Sequence, residues 1–154
     1  MPEFDTQHFG RVRFSESDLV HFPRGLPGFE HRRRFLPLSL PHSEPLIFLQ
    51  SLEDAALCFL TLPVLAADPC YRLELAREDL ALLGLPARPQ PRIGADVLCV
   101  AVLSIREDGP TLNLLAPVVV NLRNRIAVQA VCPDSGSHQH PLPVPQPREE
   151  AVPC

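Results

Sequence analysis

Val97-Leu-Cys-Val-Ala-Val-Leu-Ser-Ile105 decides the fold: eight of its nine residues are apolar, and it shows no alternation between apolar and polar positions. A strand of that kind is apolar on both faces and must be covered on both. Val118-Val-Val120 and Leu46-Ile-Phe-Leu49 share the property. Outward from this segment, β-branched and aromatic runs recur at short intervals, separated by Pro, Gly and Asp. They predict strands at Gly10–Phe14, Leu19–Phe22, Phe35–Leu38, Leu46–Gln50, Leu57–Leu62, Tyr71–Leu75, Val97–Ile105, Thr111–Leu115, Val118–Asn121 and Arg125–Val131. One helix is expected at Arg77–Leu83, where Ala76, Leu80 and Leu83 share a face, Glu78 and Asp79 lie in the first turn and Gly84 stops it. Many short strands with regular turn signals make this a mainly β chain: a small, closed, barrel-like single domain of antiparallel strands. Such a barrel has little material for an outer layer. Either part of its exterior is an apolar patch that a partner occludes, or the helix and the Pro63–Asp68 and Pro86–Arg92 loops cover it.

The 154 residues suffice for one domain, and 45% hydrophobic residues give it a real core. Nineteen prolines against seven glycines imply short elements and stiff turns. From Cys132 to Cys154 the chain carries six prolines and almost no large apolar side chain, so residues 1–131 form the domain and 132–154 a disordered or polyproline-like tail. All fourteen basic residues are arginine, yet the net charge is −4, which disfavours direct nucleic-acid binding and suits a basic protein partner. Five cysteines form no Cys-x-x-Cys pair and read as reduced thiols of a cytoplasmic protein, Cys58 and Cys99 being small hydrophobes inside strands. The N-terminus lacks a signal-peptide pattern, and the longest uncharged apolar run, Thr111 to Leu122, falls short of the roughly 20 residues of a spanning helix, so no membrane role is expected.

Three stretches place special residues inside or beside apolar runs: Phe22-Pro-Arg-Gly-Leu-Pro-Gly-Phe-Glu30, Leu49-Gln-Ser51 and Thr111-Leu-Asn-Leu-Leu-Ala-Pro-Val-Val-Val-Asn121. In the first, Gly25-Leu-Pro-Gly28 reads as a type II turn, Pro27 fixing φ and Gly28 supplying the positive φ that follows. Phe29 then drops back into the core and Glu30 begins a short helical turn. A Gly-x-x-Gly loop also occurs in KH domains, but no helix precedes this one and a proline sits inside it. In the second, Gln50 and Ser51 end an apolar strand before Glu53 and Asp54; their polar groups either satisfy a turn or face a partner. In the third, Pro117 marks a strand bend, and Asn113 and Asn121 bracket the greasy segment, Asn113 bonding to neighbouring backbone. His31-Arg-Arg-Arg34 reads as a solvated face; with 6% aromatics and no Trp there is little for nucleic-acid bases to stack on.

Catalytic patterns are thin. There is no Gly-x-Ser-x-Gly, no Gly-x-x-x-x-Gly-Lys and no His-Glu-x-x-His. Glu53-Asp54, Glu78-Asp79 and Glu107-Asp108 are adjacent pairs, which a strand splits between its faces. His138 and His140 lie in the tail without fixed support for a metal. No catalytic residue, cofactor or metal site is assigned, and the chain reads as a binding protein. An enzyme or ligand-binding barrel would instead need a deep polar pocket with perturbed titratable groups.

The order and spacing of the three stretches resemble the flagellar assembly factor family FliW, from about Phe9 to about Val131. Tyr71 opening a strand, the Leu80-Ala-Leu-Leu-Gly84 helix end and Gln129 in the last strand extend the likeness. Two departures stand out: Val128 precedes Gln129 where FliW chains usually carry glycine, and the proline-rich tail replaces the family's C-terminal segment. The resemblance implies a cytoplasmic bacterial protein, monomeric when free, that binds flagellin and antagonises the RNA-binding regulator CsrA. It implies family-motif structural roles for Gly25, Pro27, Gly28, Asn113, Pro117 and Asn121. Phe29, Glu30, Gln50, Ser51, Glu53 and Asp54 are the candidate partner-binding residues.

Overall fold

The computed structural model describes residues 2–131 and 140–141. Its strands are β1 (Glu3–Thr6), β2 (Gly10–Arg13), β3 (Val20–His21), β4 (Arg34–Leu38), β5 (Ile47–Ser51), β6 (Cys58–Pro63), β7 (Val97–Arg106), β8 (Gly109–Leu112), β9 (Val118–Asn121), β10 (Ala127–Gln129) and β11 (His140–Pro141), with helices α1 (Val64–Ala67) and α2 (Arg77–Leu83). The main sheet runs β3-β4-β5-β6-β7-β9-β10, every step antiparallel. Six antiparallel steps leave the two end strands parallel, and the sheet closes there through a parallel bridge between His21 and Ile126. The His21 N–H donates to the Arg125 carbonyl at 3.0 Å across that seam.

Strand β7 shows why its sequence lacks alternation. Leu98, Val100 and Val102 point into the barrel, where Phe22, Phe35 and Leu49 meet them. Val97, Cys99 and Ala101 point outward into a second layer made by Val64 of α1, Leu80 and Leu83 of α2, and the Leu73–Leu75 segment. Of the two ways to cover the exterior, cover by the chain itself is the one found for β7 and β9. The barrel interior is filled by side chains packed on one another. On the far side, the β1–β2 hairpin lays Phe4 and Val12 near Phe14, Leu19 and Leu36, and Phe9 meets Phe48 edge-on at 5.2 Å.

Three expected features differ. Tyr71–Leu75 is not a strand although Leu73 and Leu75 alternate as one. Among the described residues no strand pairs with it; the Gln90 side chain instead supplies both halves of one ladder step, accepting from the Leu75 N–H at 2.7 Å and donating to its carbonyl at 3.1 Å. Thr111–Leu115 ends as a strand at Leu112 and turns through Leu114 and Leu115, which brings Pro117, buried, to the start of β9. Cys70 is disulfide-bonded, not reduced as expected. It sits exposed after α1, whereas Cys58 and Cys99, within the strands, are not in disulfides. The tail, 132–154, falls outside the described residues except for His140 and Pro141, which pair with Leu112 and Thr111 and so tie that part of the arm to the barrel.

Candidate functional site

Strand register brings most of the three motifs to one mouth of the barrel. Phe35 of β4 stands opposite Ser51 of β5, Gln50 opposite Cys58 of β6, Ser104 opposite Thr111, and Val118 opposite Gln129. Over this mouth folds the Leu26–Phe29 turn. The Phe29 N–H donates to the Leu26 carbonyl at 2.7 Å, and Gly28 has φ +82°, the geometry the Pro-Gly pair predicts. Gly25 is needed for a second reason. Its φ is +65°, and a Cβ there would stand 2.6 Å from Cα and the carbonyl oxygen of Glu30.

Phe29 does not drop into the core. It is 40% exposed and packs edge-on against Phe59 of β6 at 5.3 Å. Leu26, buried, is the residue that plugs the barrel instead, because the turn presents its two hydrophobic ends to different sides. Glu30 folds back, its Oε2 accepting the Gly28 N–H at 3.0 Å; that bond, with one from its own N–H, holds the carboxyl below its ordinary value. No helix follows, only one turn closed by the Arg32 N–H on the Phe29 carbonyl.

Gln50 and Ser51 are fully buried. The Gln50 amide donates toward the carbonyls of Ser51, Asp54 and Ala55 at 3.0, 3.4 and 3.3 Å, and Ser51 Oγ accepts from the Glu53 and Asp54 N–H groups at 3.0 and 3.1 Å. They shape the 52–57 loop and, being buried, present no side-chain surface of their own, contrary to the partner-binding role expected of them. Among the described residues Gln50 Oε1 is buried without a hydrogen-bond partner. Glu53 then crosses to the cationic run after the first motif: its Oε1 accepts from the Arg33 and Arg34 N–H groups at 2.6 and 3.2 Å, and Oε2 lies 3.6 Å from Arg34 Nε. Burial pushes this carboxyl up, but those N–H donors and the Arg34 charge outweigh it and leave it below the ordinary value. Asp54 stands 3.9 Å from the Arg32 guanidinium. The cationic run is thus not a wholly free solvated face, since two of its arginines answer the acids of the second motif.

Between the turn and the barrel rim lies a groove of about 170 Å³ lined by Leu26, Pro27, Phe59, Val102, Ser104, Asn113 and Gln129. Asn113 bonds to neighbouring backbone only through its own N–H, which donates to the Val102 carbonyl at 3.1 Å; no hydrogen bond of its side-chain amide is found among the described residues. Phe59, Val102 and Ser104 carry no local sign of this role, because nothing within their strands distinguishes a rim position from a core one. Asn121 lies elsewhere, at the opposite end of β9, where its amide donates to the Leu83 carbonyl at 2.7 Å and closes α2. A larger hollow, about 720 Å³, is an open cleft beside that helix end, lined by Pro86, Pro89 and Pro91 among others. Of its charged residues Arg92, Asp96 and Arg123, the first two pair with each other at 3.6 Å. Among the described residues no His, Cys, Asp and Glu cluster is suited to a metal, and no helix is long and apolar enough to cross a membrane.

A FliW crystal structure superposes on this chain with a TM-score of 0.76 at 28% identity, covering 92% of this chain and 94% of that one. Flagellar assembly factor FliW of Bdellovibrio bacteriovorus is 36% identical over 133 residues, covering 84% of this chain and 72% of the relative. That of Syntrophus aciditrophicus is 33% identical over 135 residues, covering 86% and 82%. The family is known by its part in flagellar assembly and not by a catalysed reaction. With the FliW protein family model matching residues 3–142 as well, the chain belongs to the FliW family of flagellar assembly factors.

Proposed function

We infer that this chain works in the cytoplasm as a monomeric protein-binding factor that holds flagellin and, when flagellin is depleted by secretion, binds CsrA and relieves its repression of flagellin synthesis. The observation that carries the reading is the mouth of the barrel, where Phe29 stays 40% exposed beside a groove that ends in the Asn113 amide. A fold that buries the motif's other aromatic, Phe22, completely has a use for the one it leaves out. Family membership supports flagellar assembly as the setting. The net charge of −4 favours association with basic protein surfaces over nucleic acid.

Purified chain is mixed separately with flagellin and with CsrA and each mixture is sized by chromatography. Two stable complexes are the expected result. A complex with flagellin alone establishes the narrower reading, a flagellin holdase without CsrA antagonism, which the proline-rich C-terminal segment favours. No complex with either protein removes both readings.

A further inference from the structure

We propose, on the protein-binding reading above, that the groove beneath the Leu26–Phe29 turn takes an extended peptide segment of the partner, seating one apolar side chain, hydrogen-bonding its main chain and placing a neighbouring basic residue against Glu30. The walls come from Leu26, Pro27, Phe59 and Val102, and about 170 Å³ is room for one large side chain, not for a helix. Set into these apolar walls are polar groups with unmet bonding capacity. Among the described residues the Ser104 hydroxyl and the Asn113 amide have no hydrogen-bond partner, and Gln129, whose Nε2 donates to the Ala116 carbonyl at 3.0 Å, has its Oε1 free. An amide offers both donors and an acceptor, which is what a peptide unit requires. A helix has already satisfied its own main chain, so an extended segment is the occupant that uses Asn113.

Charge fixes the neighbouring position. A second hollow of about 260 Å³ continues from the groove across Pro27 and Gln129 and is lined by Arg24, Glu30 and Asp79. Two carboxylates and one guanidinium line it, and the Arg24 charge acts on Asp79. Glu30 holds the Gly28 N–H and feels the His31 charge but is in no ion pair among the described residues, so a Lys or Arg of the bound segment supplies one.

The test uses the full chain and the dipeptide N-acetyl-Leu-Arg-N-methylamide, followed by the side-chain amide NMR signals of Asn113 and Gln129. Saturable shifts of both signals are expected, absent with N-acetyl-Gly-Arg-N-methylamide and lost in Ser104→Leu, which fills the groove. No shift with the leucine dipeptide, or equal shifts with both, overturns the proposal. Where Ser104→Leu alters the thermal melt, Glu30→Gln on the exposed turn decides: it must weaken the Leu-Arg dipeptide severalfold and leave N-acetyl-Leu-Ala-N-methylamide unchanged, and equal effects on both refute the basic preference. Flagellin and CsrA are titrated into the same wild-type sample and into Asn113→Ala. Failure of both proteins to bind removes the proposed function and leaves the dipeptides to decide the groove. Binding to wild type that Asn113→Ala and Ser104→Leu, both folded, do not weaken by roughly tenfold overturns the groove and leaves the function standing.

Discussion

Gly25 and Gly28 both lie at positive φ, yet they face different surroundings, and substitution separates them. A Cβ at Gly28 meets open space, so Gly28→Ala bears only the cost of a side chain in a left-handed conformation, about 1 kcal/mol. A Cβ at Gly25 meets backbone of Glu30 at 2.6 Å, which cannot swing aside as a side chain would, so Gly25→Ala is expected to cost about 3 kcal/mol. Urea denaturation of the two variants checks this, and equal midpoints contradict it. Glu53 makes a pH-dependent contribution. Its folded pKa lies below the ordinary 4.5, so its contribution to stability is fully present above that value and is lost as pH falls through the folded pKa. Glu53→Ala is therefore less stable than wild type at neutral pH, and the gap narrows below pH 4.5 in denaturation series run at both ends; a gap that widens in acid reverses the assignment. The type II turn was legible because proline and glycine dictate φ locally. The outward placement of Phe29 was not, since it depends on Phe59, thirty positions on, and no local rule links the two.

At the scale of elements, α2 was read to its last residue from its periodicity, its acidic first turn and Gly84, whose φ of +76° closes the helix as that sequence requires. What holds the closed end needed the structure: the amides of Asn121 and Asn124 converge on the Leu83 carbonyl at 2.7 and 3.0 Å, and Asn121 Oδ1 also takes the Arg123 N–H at 2.9 Å. Asn121 is 4% exposed, so Asn121→Ala leaves buried groups unmatched and should cost about 1–3 kcal/mol in chemical denaturation, with faster exchange of the Gly84 and Leu85 amides. A loss within error would mean that Asn124 suffices. Strand β1 escaped notice because Glu3 and Asp5 leave it no apolar stripe. Its signal is the charge match to Arg13 and Arg11 directly opposite, visible only once the register is known. The Tyr71–Leu75 segment failed the other way: its alternation reports one buried face, and that is a property of any extended chain lying on a core, paired or not.

For the whole molecule, closure is the property furthest from sequence, because it arises from the number of strands and not from any one of them. An odd path of antiparallel neighbours brings β3 and β10 together in parallel, and two short strands make that seam the thinnest part of the barrel. Arg125 reinforces it. Its carbonyl takes the His21 N–H at 3.0 Å, its guanidinium donates to the Asp18 carbonyl at 2.9 Å, and its backbone stands at φ +63°. Alanine at this position loses the guanidinium bond and keeps the backbone strain, whereas glycine loses the bond and relieves the strain. Arg125→Ala is therefore expected to be less stable than Arg125→Gly by about 1 kcal/mol. In hydrogen exchange the His21 amide should open before the amides of β7 in wild type, and earlier still in both variants, while β7 keeps its protection. A His21 amide as slow as those of β7 would mean that the barrel opens only as a unit. The candidate binding mouth, which hangs on β3 through the Phe22–Glu30 segment, would then have no independent mobility with which to admit a partner.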